Sequence, residues 1–136
     1  MTTAAAVRQA EADERGLITI GISDMAVTRD AGARLVTYAL GSCIGVTLYD
    51  PVARIGGMLH FMLPHASTNE AKAADKPGMF GDVGIPMLFR GMYDLGAKKD
   101  RLIVCAAGGA EVMEDAGQFR IGSRNRTILR KLFWKN

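Results

Sequence analysis

The sequence predicts one mixed α/β domain. Several short runs alternate apolar and polar residues with β-branched content, and two later runs space their apolar residues along one helix face. The length, 136 residues, suffices for one core and is too short for two ordinary domains. Hydrophobic residues at 49% and charged ones at 23% give an ordinary globular balance.

In chain order, residues 1–16 are rich in alanine and charge and read as a mobile tail, leaving 17–136 as the domain. Leu17 to Ser23 and Arg34 to Leu40 read as strands, the second running into a tight corner at Gly41-Ser42. Cys43 to Asp50 alternates cleanly, with Ile44, Val46 and Leu48 on one face, until Asp50-Pro51 ends it. Arg54 to Leu63 is a further strand, in which Gly56-Gly57 allows a close neighbour or a bulge. Residues 65–79 read as an exposed loop. Asp82 is expected to cap a helix reaching Leu95, and Arg101 to Ala107 to form a buried strand ending at Gly108-Gly109. Ser123 is expected to cap a last helix, with Ile128, Leu129, Leu132 and Phe133 as its apolar stripe.

Composition narrows the function classes. Nowhere do eighteen apolar residues run together, so no segment spans a bilayer, and Arg8, Glu11, Asp13 and Glu14 break any apolar signal region. Cys43 and Cys105 match no metal-ligand spacing and read as reduced, cytoplasmic thiols, although sequence leaves a disulfide between them open. Between Gln118 and Asn136 lie Arg120, Arg124, Arg126, Arg130, Lys131 and Lys135 with no acid. Such a segment favours an acidic partner or is simply the solvated face of the last helix.

The chemistry-bearing stretch is Thr37 to Pro64. Cys43 follows Gly41-Ser42 at a strand start, where N–H groups outside the ladder can hold an oxyanion and a glycine corner admits a substrate. Antiparallel pairing can set His60 beside Cys43, where an imidazole lowers the thiol pKa and takes its proton, and the Thr37 hydroxyl can orient the ring. The bland alternative is a small core cysteine and a satisfied histidine, which is what such lone residues usually are.

A resemblance changes that balance. LGSCIGVTLYDP followed by GGMLHFMLP, then Gly108, Gly109 and Ala110 with Met113 beyond, then Ile121 to Asn125 (IGSRN), resembles the chemoreceptor glutamine deamidases of the CheD family. It covers the chain from about Leu17 to its end. The resemblance implies a layered α/β sandwich with Cys43 as nucleophile, His60 as base and Thr37 completing the set. Backbone N–H groups around Gly41, Ser42 and Cys43 would hold the oxyanion, with no metal or organic cofactor. It implies glutamines of bacterial chemoreceptor cytoplasmic domains as substrates, glutamyl methyl esters among them, and the phosphatase CheC as a further partner. The family continues past the last helix with another strand, whereas this sequence ends at Asn136, so an uncovered sheet edge is expected. Cys105 is expected in the core, His65 on the surface, Gly108-Gly109 as a turn near the site, and Ser123, Arg124 and Asn125 as a helix cap or site lining. Three other readings compete: a non-catalytic module docking on CheC or a receptor helix, another cysteine hydrolase, and a nucleic-acid binder resting only on the basic last helix.

Overall fold

The computed structural model describes residues 7–111 and 120–135. Met113 lies outside them. The strands are β1 (Arg8–Gln9), β2 (Leu17–Thr19), β3 (Met25–Thr28), β4 (Arg34–Val36), β5 (Ile44–Asp50), β6 (Ile55–Phe61) and β7 (Ile103–Gly108). The helices are α1 (Glu70–Asp75), α2 (Gly81–Leu95) and α3 (Ile121–Lys135). The larger sheet has the order β1-β3-β6-β5-β7, antiparallel except where β1 meets β3, and β2 pairs with β4 in a small parallel sheet.

Alternation along β5 and β6 builds a layered sandwich. Ile44, Val46 and Leu48 join Ile55, Leu59 and Phe61 under α2, together with Ile85, Leu88 and Met92. The opposite face carries Ala26 and Met58 and is covered by Ile18, Ile20 and Leu35 from the small sheet and its surroundings. Gly57 is where α2 comes closest: an added Cβ would meet the Met92 sulfur at 2.9 Å, so the expected close neighbour is this helix. Asp50 closes β5 as a buried anchor. It accepts from the N–H groups of Val52, Ala53 and Lys98, and the Arg101 guanidinium at 2.7 Å holds its carboxyl well below the usual carboxylate range.

Several expectations need correction. Residues 7–16 are no mobile tail: Arg8 and Gln9 pair with Ala26 and Val27, Arg8 forms an ion pair with Asp24 at 2.8 Å, and Val7 packs against Gly91 of α2. The presumed loop 65–79 contains α1, capped by the Asn69 side chain on the Lys72 N–H. Asp82 caps nothing; α2 begins at Gly81, and the Asp82 carboxylate instead accepts from the Ala66 N–H. Likewise α3 begins at Ile121, before Ser123, whose N–H donates to the Glu111 carboxylate at 2.7 Å. The largest correction concerns β7. Among the described residues it pairs only with β5, all six of its residues are exposed, and Cys105 lies open rather than in the core. Its composition is that of a covered strand, but it stands at the sheet edge with no described neighbour outside it. No described helix is long and apolar enough to cross a membrane.

Candidate active site

His60 lies on β6 with 0% of its surface exposed, on the face toward the small sheet. Thr37 directly follows β4, and its Oγ1 lies 2.8 Å from His60 Nδ1 and 2.7 Å from the Ile20 carbonyl oxygen. A threonine hydroxyl has one hydrogen, and the carbonyl can only accept. The hydroxyl therefore donates to Ile20 and accepts from Nδ1–H, which fixes the neutral ring with its lone pair on Nε2. Nε2 is buried and has no hydrogen-bond partner among the described residues. Burial lowers the imidazole pKa below its ordinary value and favours the neutral ring, whose Nε2 lone pair can accept a proton.

Gly45 faces His60 across the β5–β6 ladder, and its missing side chain leaves the space into which Thr37 and Leu40 pack. Carrying the alternation past the start of β5 puts Cys43 on the same sheet face as His60. Cys43 is half-buried and not in a disulfide. Desolvation raises its pKa, which corrects the expectation that an imidazole contact lowers it: no hydrogen bond joins Nε2 to the sulfur. Both shifts favour the uncharged pair, a thiol and a neutral imidazole.

The turn before Cys43 is tightly held. Its own N–H donates to the Leu40 carbonyl at 2.7 Å, while Ala39 (φ 55°) and Gly41 (φ 50°) are left-handed; for alanine this conformation is strained. Three successive carbonyls then accept from distant parts of the chain. Gly41 is bonded by the Ala110 N–H at 2.9 Å, Ser42 by Asn125 Nδ2 at 2.9 Å, and Cys43 by the Gly109 N–H at 2.8 Å. The Cys43 N–H is thus engaged and unavailable to an oxyanion, contrary to expectation. The N–H groups of Gly41 and Ser42 have no partner among the described residues and remain able to serve one.

Gly108-Gly109 is the expected turn beside Cys43: both glycines have positive φ, and a Cβ on Gly108 would meet the Cys43 oxygen at 2.2 Å. The run IGSRN acquires physical content here. Gly122 admits α3 against the Ala110 carbonyl, Arg126 donates to the Gly109 carbonyl, and Asn125 reaches into the site. Asn125 is neither cap nor exposed lining. Its burial follows from the helix docking by its first turn, which sequence periodicity does not reveal. His65 stands apart, partly exposed, with Nδ1 3.6 Å from the Asp82 carboxylate.

The family model described as CheD chemotactic sensory transduction matches residues 62–136. "Probable chemoreceptor glutamine deamidase CheD 1" of Syntrophus aciditrophicus (strain SB) is 52% identical over 121 residues, 89% of this chain and 76% of that protein. The chain belongs to the CheD family. A second member, "Probable chemoreceptor glutamine deamidase CheD 2" of Anaeromyxobacter dehalogenans (strain 2CP-C), is 48% identical over 83% of this chain and 71% of its own length. The "Chemoreceptor glutamine deamidase CheD" of Thermotoga maritima is 40% identical over 82% and 68% respectively. The family model begins two residues after His60, so Asn125 and the glycine turn lie within it, while Thr37, Ser42, Cys43 and His60 precede it. The layered α/β expectation is met.

Proposed function

We propose that this chain is a cytoplasmic protein-glutamine deamidase acting on chemoreceptor glutamines, with Cys43 as nucleophile, His60 as acid–base and Thr37 as orienting residue. The observation that carries the reading is the Thr37–His60 relay, which leaves Nε2 unprotonated, on the Cys43 face and without a hydrogen-bond partner among the described residues. Nε2 takes the thiol proton as sulfur attacks the side-chain amide carbon, and the oxyanion forms against the N–H groups of Gly41 and Ser42. His60 returns the proton to the departing ammonia, leaving a thioester on Cys43. Water then attacks with His60 as base, and glutamate is released with the thiol restored. The names of the relatives support the substrate class.

Burial predicts the pH profile. Because the folded His60 pKa lies below its ordinary value, the ring remains a base under mildly acidic conditions, and the acid limb of kcat/KM falls below about pH 6.5. Linkage has the same sign. Between the two pKa values the unfolded chain binds more protons, so the stability from neutral, buried His60 is complete above the unfolded pKa and declines as pH falls toward the folded one. A rate–pH series with parallel thermal melts checks both, and an acid limb above the ordinary histidine value contradicts the assignment.

Arg124, Arg130 and Lys131 project from α3, exposed and without an ion pair among the described residues, which suits an acidic partner. CheC is the partner we propose for this face, in organisms that have it. The test of function is incubation with chemoreceptor cytoplasmic domains followed by mass spectrometry of their glutamines. Conversion of particular glutamines to glutamate is expected, and none in any receptor domain of the source organism overturns the proposal.

A further inference from the structure

We infer that Asn125 is a positioning residue that holds the Cys43 turn in register with the His60 strand, an inference that rests on the deamidase reading above. The β5–β6 ladder ends at Ile44 opposite Phe61, so Cys43 and Met62 lie just beyond the last pair. At that point Asn125 takes over. Its Nδ2 donates to the Ser42 carbonyl at 2.9 Å and to the Met62 carbonyl at 2.8 Å, one hydrogen to each side of the opening ladder. Both acceptors are carbonyl oxygens, so the amide can only present its NH2 group to them. The side chain is 0% exposed.

Its two acceptors sit next to the reacting groups: Ser42 immediately precedes Cys43, and Met62 follows His60 by two residues. A residue needed merely to anchor α3 has no reason to select these carbonyls. The Gly109 and Ala110 N–H groups fix the neighbouring carbonyls of Cys43 and Gly41, but only Asn125 reaches across to β6. Its Oδ1 is buried and has no hydrogen-bond partner among the described residues. An orientation fixed at both ends sets the approach of sulfur to Nε2, and displacements of about 1 Å cost on the order of 100-fold in rate.

The test compares the parent chain with Asn125→Ala and Asn125→Asp, the latter isosteric but without the amide donors. With a chemoreceptor cytoplasmic domain as substrate, kcat for ammonia release should fall about 100-fold while KM stays within about twofold, the pattern of an interaction made for chemistry rather than binding. Without substrate, iodoacetamide labelling of Asn125→Ala against pH should show the Cys43 midpoint falling below that of the parent as the turn loosens and desolvation is relieved. Folded variants with kcat within about twofold of the parent, a rise in KM at unchanged kcat, or an unmoved Cys43 midpoint each overturn the inference. If Asn125→Ala lacks a cooperative thermal transition, Asn125→Ser retains one donor and should give intermediate losses in both readouts. If the parent itself deamidates no receptor domain, the substrate reading fails, and the labelling experiment still decides the role of Asn125.

Discussion

Cys43→Ala is expected to abolish ammonia release, and His60→Ala to lower it by about two to four orders of magnitude, with both proteins folded. The asymmetry follows from chemistry. Without sulfur no thioester forms, whereas without the imidazole the thiol can still ionise in solvent, from a pKa that burial has already raised. Cys43 is half-buried in a turn held by backbone carbonyls, so losing the sulfur leaves every one of those bonds in place. His60→Ala opens a cavity and leaves Thr37 with its bond to Ile20 only, and a modest fall in Tm should accompany the loss of rate. Steady-state ammonia assays with circular dichroism melts check this. Full activity in either variant excludes that residue from its role.

A strand supplied after Asn136 and able to pair with β7 is expected to stabilise the protein. β7 presents six exposed residues, Ile103 to Gly108, with no charge and no proline, a pairing edge left uncovered among the described residues. Beside it Val104 and Ala106 form a largely apolar groove of about 400 Å³ with Leu102, Leu129, Phe89 and Phe133, and Trp134 is 92% exposed. The relatives at 52% and 48% identity extend beyond the matched region, which spans 76% and 71% of their lengths. We propose that a family strand of this kind covers the groove. Burying on the order of 150 Å² of apolar surface contributes about 4 kcal/mol, to which the new ladder hydrogen bonds add against the cost of ordering the strand. A rise in Tm is expected, with less self-association in light scattering. Equal melting and scattering for the extended and present chains would mean that the exposed edge is tolerated as it stands.

The strands around the site were legible because β5 and β6 are buried on both faces or alternate strictly, and the order of Gly41, Ser42, Cys43 and His60 carries a family resemblance. What was not legible has physical causes. Arg8 and Gln9 contain nothing strand-like; they are ordered by Val7 packing on α2 and by the ion pair to Asp24. β3 is four residues long and wholly buried, too short for any period to show. Cys105 sits in a run whose composition predicts a covered strand, and the error arose because cover depends on a neighbour, not on the strand itself. For Asn125 a motif was visible but not its direction, since a buried amide bonded to Ser42 and Met62 is a tertiary fact. The raised thiol pKa is likewise a consequence of burial that proximity in sequence does not report.

The central claim is a thioester on Cys43. Rapid acid quenching of the protein during turnover with a glutamine-bearing receptor domain, then peptide mapping, measures it directly. An acyl adduct is expected on the peptide containing Cys43, and neither on the Cys105 peptide nor in Cys43→Ala. Glutamate formed at full rate by Cys43→Ala, or an adduct on Cys105 alone, would contradict it.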